Sequence, residues 1–153
     1  MYNDYQILSN DQYSFLNLQY QNEQAFVRKD IILNICNELN LCKVLCLGLK
    51  NNYNKQVSNS IKSTFNLLDK NLNNLSSICK SNTIQTNVIK QCTIFELFKK
   101  LTTISSFLLN WISHESKEYY KTLAINTAKD INSTLTEIST ALISSHVQLF
   151  KHM

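Results

Sequence analysis

The side chains best suited to chemistry in this sequence are two cysteines in LCKVLC, residues 41–46. Cys42 and Cys46 are four residues apart, so on a helix both thiols lie on one face and could share a soft ion such as Cu(I). A copper-storing bundle repeats such pairs, whereas this chain has one. Both residues also continue an apolar row from Ile35 and Leu39, and free cysteine is readily buried as a small hydrophobe. We therefore expect core positions, with a metal site as the alternative.

A second candidate is HESKE, residues 114–118, which brings His114 close to Glu115 and Glu118. Di-iron bundles of the ferritin type need Glu-x-x-His on two helices and a further glutamate on each of the others. Here the order is reversed, and His146 and His152 have no glutamate three residues before them. Three more glutamates could face the interior without a histidine partner: Glu23, Glu38 and Glu96. We expect His114 at a helix junction, bonded to free carbonyl groups, and only weakly suited to hold a metal.

Catalytic motifs are lacking. The sequence has neither a Gly-x-Ser-x-Gly elbow nor a glycine-rich phosphate loop, and its three histidines offer few general bases. The expectation is a non-enzymatic protein without catalytic residues or a cofactor.

Composition indicates the fold class. The chain of 153 residues is 44% hydrophobic, which suits one globular domain. It has no proline, and Gly48 is its only glycine. Because turns between strands draw heavily on these two residues, the sequence predicts an all-α protein.

Apolar residues recur at steps of three and four and predict helices over residues 22–49, 55–80, 94–112 and 117–151. A capping box, Thr93 to Glu96, marks the start of the third helix. Residues 1–20 are predicted to form an aromatic and polar arm or the first helical turns, and 21–153 a single bundle domain. An apolar row from Tyr13, Leu16 and Tyr20 is expected to continue into the first helix, with a break near residues 22–24.

Each helix has one apolar and one polar side, which favours an antiparallel four-helix bundle with coiled-coil-like seams. The fourth helix keeps its seam for about four heptads. We expect this helix to carry self-association, unless one chain completes the bundle and makes the seam internal.

Aromatic residues are the best candidates for an interaction surface, because they bury much area at little entropic cost. The candidates are Tyr13, Phe15, Tyr20, Tyr119 and Tyr120. Alternatively, the N-terminal aromatics fold back over one end of the bundle.

The charge of the chain and its lack of targeting signals limit the partners and the location that we expect. The net charge is +4, the lysines are spread along the chain, and Arg28 is the only arginine, so nucleic-acid binding is not expected. The N-terminus lacks the features of a signal peptide, and no apolar run long enough for a membrane span is evident. Five cysteines without close pairing suit a reducing compartment. The expected location is cytoplasmic, in the host cytoplasm if the source is a virus.

Together these features favour an α-helical bundle that acts through protein–protein contact, either as a homo-oligomer or with a dedicated partner. One alternative is a ferritin-like or thiol-lined bundle that stores or carries a metal or small ligand. Another is a small viral or pathogen host-interaction protein of the Bcl-2-like type.

Overall fold

The structure is a computed structural model that describes residues 10–49, 54–79 and 92–151. These residues form four helices, α1 (Asn10–Gly48), α2 (Lys55–Ser76), α3 (Ile94–His114) and α4 (Glu118–Lys151), and contain no strand. The helices pack against one another. The prediction of an all-α helical bundle is confirmed.

Local capping signals define where two helices begin. At the start of α2, the Asn54 side chain accepts a hydrogen bond from the Val57 N–H at 2.9 Å. At the start of α3, Thr93 and Glu96 form both bonds of the predicted capping box. Such caps satisfy backbone N–H groups that have no partner within the helix. The predicted starts of α2 and α3 are therefore correct.

The first helix extends beyond the predicted range of 22–49 and includes residues 10–20, which the sequence predicted as an arm or as the first helical turns. α1 has 39 residues and runs without interruption through residues 22–24, where the sequence predicted a break. Neither proline nor glycine occurs in α1 before Gly48, so no residue there breaks the backbone hydrogen bonds. Residues 10–20 are therefore the beginning of α1 rather than a separate arm. Residues 1–9 lie outside the described part of the chain.

The helices form a ring in which α1 and α4 each lie between α2 and α3. Contacts join α1 to α3 and its flanking residues along their length: Leu45 with Cys92, Glu38 with Lys100, and Arg28 with Glu115. Residue numbers fall along α1 as they rise along α3, so these two helices run in opposite directions. On the other side of α1, Lys43 pairs with Asp69 of α2 at 2.6 Å.

The core lies between the four helices, and each helix contributes one row of side chains to it. Its largest fully buried members are Trp111, Ile32, Ile35, Leu39, Leu68, Leu75, Leu97, Leu101, Ile104, Leu108, Ile131 and Ile138. The seam of α4 is therefore internal: Ala124, Ile131 and Ile138 are buried. This matches the alternative in which one chain completes the bundle and makes the seam internal, and self-association stays a prediction.

Candidate functional site

An ion pair buried at one end of the bundle links α1 to the connection between α3 and α4. Arg28 and Glu115 are only 6% and 8% exposed. The Nε and Nη2 atoms of Arg28 donate to the two carboxylate oxygens of Glu115 at 2.5 and 2.7 Å. This is the two-point geometry that the planar guanidinium group can make and lysine cannot.

Three further groups complete this site. The indole N–H of Trp111 donates to Glu115 Oε1 at 3.0 Å, and the backbone N–H of Lys117 donates to Oε2 at 3.1 Å. The guanidinium carbon of Arg28 lies 4.2 Å from the centroid of the Tyr120 ring, a cation–π contact. We call Arg28, Trp111, Glu115 and Tyr120 the Arg28 cluster. It joins residues of α1, α3, the α3–α4 connection and α4.

The electrostatics of the Arg28 cluster favour permanent charges. Burial alone would raise the pKa of Glu115, but hydrogen bonds from Arg28, Trp111 and the Lys117 backbone outweigh it and lower this pKa to about 2. The hydrogen bonds to Glu115 raise the pKa of Arg28. Neither group exchanges protons near neutral pH, so the pair is poorly suited to acid–base catalysis. Its geometry instead fixes the middle of α1 relative to the end of α3 and the start of α4.

A cleft of about 280 Å³ opens beside the Arg28 cluster, between α1 and α3. It is lined on the α1 side by Gln24, Val27 and Ile31, and on the α3 side by Asn110 and His114, among others. The cleft marks the level at which α3 ends while α1 continues.

Beyond this level α1 extends for 18 further residues, from Arg28 back to Asn10, which corresponds to roughly 27 Å of helix. We call residues 10–24 the projecting segment. Wherever the burial of a residue between positions 12 and 23 is described, that residue is exposed. Phe15 is 66% exposed, Leu18 57% and Tyr20 56%. Exposed apolar side chains that are scattered singly are normal on a protein surface, so the informative feature is a set of them on one side of the helix.

One side of α1 carries an apolar stripe through the projecting segment. Leu16, Tyr20 and Val27 are 49%, 56% and 53% exposed, and at 3.6 residues per turn they lie within about 40° of one another. The buried row of α1 starts at Arg28 and Ile32 and lies roughly 100° further round the helix. The prediction that the row of Tyr13, Leu16 and Tyr20 continues into the buried row of α1 is wrong, because the apolar side of α1 changes direction at Arg28.

The stripe lies on the side of α1 that faces α3. Glu38, which pairs with Lys100 of α3, and Leu45, whose carbonyl accepts from Cys92 Sγ, fall within about 40° of Leu16 around the helix. The positions that continue the buried row toward the N-terminus are 10, 14, 17 and 21, which are Asn, Ser, Asn and Gln. The stripe therefore lies in line with α3 and beyond its end, rather than continuing the core of this chain.

The aromatic candidates are placed at this same end of the bundle. Phe15 and Tyr20 lie on the projecting segment. Tyr119 is 70% exposed, and its ring meets that of Tyr120 edge-on at 5.2 Å. Tyr120 is half-buried because it packs on Arg28. Tyr13 is within α1, and its side chain lies outside the described part of the structure.

Three of the five cysteines occupy the opposite half of α1. Cys36 and Cys42 are fully buried and Cys46 is 6% exposed. Cys42 and Cys46 lie in the buried row that the sequence predicted. We call these three residues the α1 thiols. Burial raises the pKa of Cys36 and Cys46 to about 12 and also raises that of Cys42. All three are therefore thiols at neutral pH, which disfavours reactivity and metal binding.

The residues proposed as metal ligands do not converge. His114 is exposed on the last turn of α3, and its Nδ1 lies 2.9 Å from the Asn110 carbonyl oxygen, as expected for a helix junction. It lies near the level of Arg28, 18 residues along α1 from Cys46, a separation of roughly 27 Å. Among the described side chains, no group of three or more His, Cys, Asp or Glu residues is arranged to hold a metal ion.

The three glutamates considered for a di-iron site have other environments. Glu23 is exposed, Glu38 pairs with Lys100 at 3.2 Å, and Glu96 caps α3. An inward ring of carboxylates, which a ferritin-like centre requires, is therefore not formed by these residues.

One segment, Ser14–Gly48, is long and apolar enough to cross a membrane by length and composition, which the sequence analysis did not expect. Arg28, Lys29 and Asp30 lie in its middle, and charged side chains are costly at the centre of a bilayer. Its C-terminal half packs within the bundle, where Ile32 and Ile35 are fully buried. The apolar side chains of this half therefore contribute to the core between the four helices.

Sequence reasoning missed the Arg28 cluster, although one signal was present. Of the fifteen basic residues only Arg28 is arginine, and a single arginine in a lysine-rich chain indicates a site where two-point bonding matters. Its partner is 87 positions away and could not be identified from spacing.

No protein-family model, no curated protein and no solved structure matches this chain.

Proposed function

We propose that this protein is a non-enzymatic helical bundle that acts through protein–protein contact, and that the contact surface is the projecting segment of α1. The observation that carries the proposal is the apolar stripe, whose side chains are about half exposed and turn away from the core of the chain. Uncovered apolar area of this kind favours association in water.

The Arg28 cluster supports this proposal because it gives the segment a rigid base. A helix that extends from a bundle without neighbours is marginally stable by itself. Two-point bonding between Arg28 and Glu115 fixes α1 where it leaves the bundle, and Tyr120 packs on the same guanidinium group. The segment is thereby held in one direction, which lowers the entropy lost on binding.

The two alternative functions gain less support from the geometry. A thiol-lined store needs several accessible thiols, whereas the α1 thiols are buried and their pKa values are raised. A Bcl-2-like partner groove needs a long apolar cleft between helices, and the cleft beside the Arg28 cluster is about 280 Å³ with a charged floor. Protein contact through an exposed helix remains the best-supported function.

The proposal is tested by photo-cross-linking in cells of the source organism. A benzophenone amino acid replaces Tyr20 in one variant and Phe95, which is 72% exposed near the start of α3, in a matched control. We expect a discrete protein adduct, with this chain or another, from position 20 and much less from position 95. No adduct at position 20, or equal adducts at both positions, would contradict the proposal.

A further inference from the structure

We infer that the partner on the apolar stripe is a second copy of this chain, whose own projecting segment lies antiparallel along the first. This inference rests on the proposed function and assigns the partner of that surface. It follows from the charge of the segment, from the space left by α3 and from the area that the segment exposes.

The charge pattern favours self-pairing. Residues 12–22 contain no charged side chain, although the whole chain carries a net charge of +4. A nucleic acid, an anionic lipid surface or an acidic protein would find no cation there to neutralise it. The polar residues of this stretch are mainly asparagine and glutamine, whose amides both donate and accept hydrogen bonds. A surface of apolar and amide groups is complementary to a copy of itself.

The position of α3 determines the direction of pairing. The stripe lies in line with α3, which ends at His114 beside the cleft. A second α1 packed parallel on the stripe would continue into the space that α3 already fills. An antiparallel copy instead places its N-terminal end toward His114 and its own bundle at the far end. Only the antiparallel arrangement lets both stripes be covered without a clash, and it is the two-fold symmetric contact typical of homodimers.

The exposed area of the stripe fits a weak dimer. Leu16, Tyr20 and Val27 are each about half exposed, so two copies would cover apolar area on the order of 600 Å² in total. That area is below the range for stable interfaces and is typical of weak, transient contacts. We therefore expect dissociation at roughly tens of micromolar.

The first test measures the mass of the purified full chain by light scattering from about 1 to 200 µM, a range that brackets the expected dissociation constant. We expect a concentration-dependent shift from the 17.7 kDa monomer toward twice that mass. The variant Leu16→Lys/Tyr20→Lys places cations in the contact and is expected to weaken the dimer at least about tenfold. The control Leu109→Lys/Ile143→Lys alters residues that are 62% and 64% exposed on α3 and α4 and should leave the dimer unchanged.

The direction of pairing is tested with single cysteines introduced at positions 16 and 20. In an antiparallel arrangement centred near residue 18, position 16 of one copy lies beside position 20 of the other. A mixture of Leu16→Cys and Tyr20→Cys should therefore form a mixed disulfide dimer faster than either variant alone. A wild-type monomer at every concentration, or equal weakening by the control variant, would overturn the inference. So would disulfides that form faster between like positions, both 16 with 16 and 20 with 20, than between 16 and 20. If the chain is a monomer and position 20 still gives an adduct with another protein, the second copy is not the partner, and the proposed function still holds.

Discussion

The buried ion pair between Arg28 and Glu115 provides the most direct test of how this bundle is held together. In Glu115→Gln the guanidinium group of Arg28 keeps its charge in a position only 6% exposed and loses its counterion. Removing one partner of such a pair is expected to cost about 3–5 kcal/mol. Arg28→Met leaves the opposite charge unpaired and is expected to cost a similar amount.

The double variant Arg28→Met/Glu115→Gln separates charge pairing from general damage at the site. It leaves no buried charge, and the glutamine oxygen can still accept from Trp111 or from the Lys117 backbone. We therefore expect the double variant to be more stable than either single variant. The control is Lys70→Met, which removes an exposed pair with Asp130 at 3.6 Å and is expected to cost less than about 1 kcal/mol.

Urea unfolding at one fixed protein concentration measures these differences. Trp111 is the only tryptophan and bonds to Glu115, so its fluorescence reports on this site while circular dichroism reports on all four helices. Coincident transitions from the two probes support two-state unfolding. Single variants that cost no more than Lys70→Met, or a double variant whose cost equals the sum of the two singles, would refute the reasoning.

The same pair predicts a pH dependence with a definite sign. The pKa of Glu115 is lowered from 4.5 to about 2 in the folded chain. A lowered carboxyl pKa stabilises the fold fully above about 4.5, and this contribution is lost as the pH falls from 4.5 toward 2. A shift of this size corresponds to roughly 3 kcal/mol. The unfolding free energies of wild type and Glu115→Gln should therefore converge over that window, whereas a constant difference down to pH 2 would contradict the assignment.

Three further outcomes test the core, a helix cap and the thiols. Leu108→Ala should cost about 2–5 kcal/mol because the residue is fully buried, while the neighbouring Leu109→Ala, 62% exposed, should stay within about 0.5 kcal/mol; equal costs would contradict the burial. Thr93→Ala should lose about 1 kcal/mol of stability because it removes the capping box. Thr102→Ala, at an exposed position of α3, should be neutral or slightly stabilising. Urea midpoints measure both effects, and an unchanged midpoint for Thr93→Ala would contradict the role of the cap. At pH 8 the α1 thiols should react with iodoacetamide slowly in the native chain and fully in urea, because burial raises their pKa values. Mass spectrometry of the labelled peptides measures the rates, and equal rates in the native chain and in urea would contradict this prediction.

Most of the local architecture could be predicted because its causes are local. The Thr93 capping box and the apolar rows of the helices depend on residues within a turn or two of one another. Cys42 and Cys46 were predicted to be core residues for the same reason, since they continue the row of Leu39, and both are buried. The break expected near residues 22–24 was wrong because helix length was given more weight than the absence of proline and glycine.

The candidate site could be predicted only in part. The sequence identified Phe15 and Tyr20 as contact residues from their type, and the structure places both on the exposed projecting segment. Their use in binding stays a prediction. The sequence did not separate Leu16 and Tyr20 from the buried row that starts at Arg28. The two rows differ by about 100° around one helix, and only the positions of the neighbouring helices decide which of them is buried.

The sequence by itself determined that this chain is helical, where α2 and α3 begin, and which apolar rows supply the core, since periodicity and capping act over a few residues. Only the tertiary structure decided that Arg28 meets Glu115, 87 positions away, and that α3 ends beside the cleft while α1 continues. Those features depend on the order, rotation and relative length of packed helices. Such long-range geometry is set by how the rows fit together in the core, which no single row specifies.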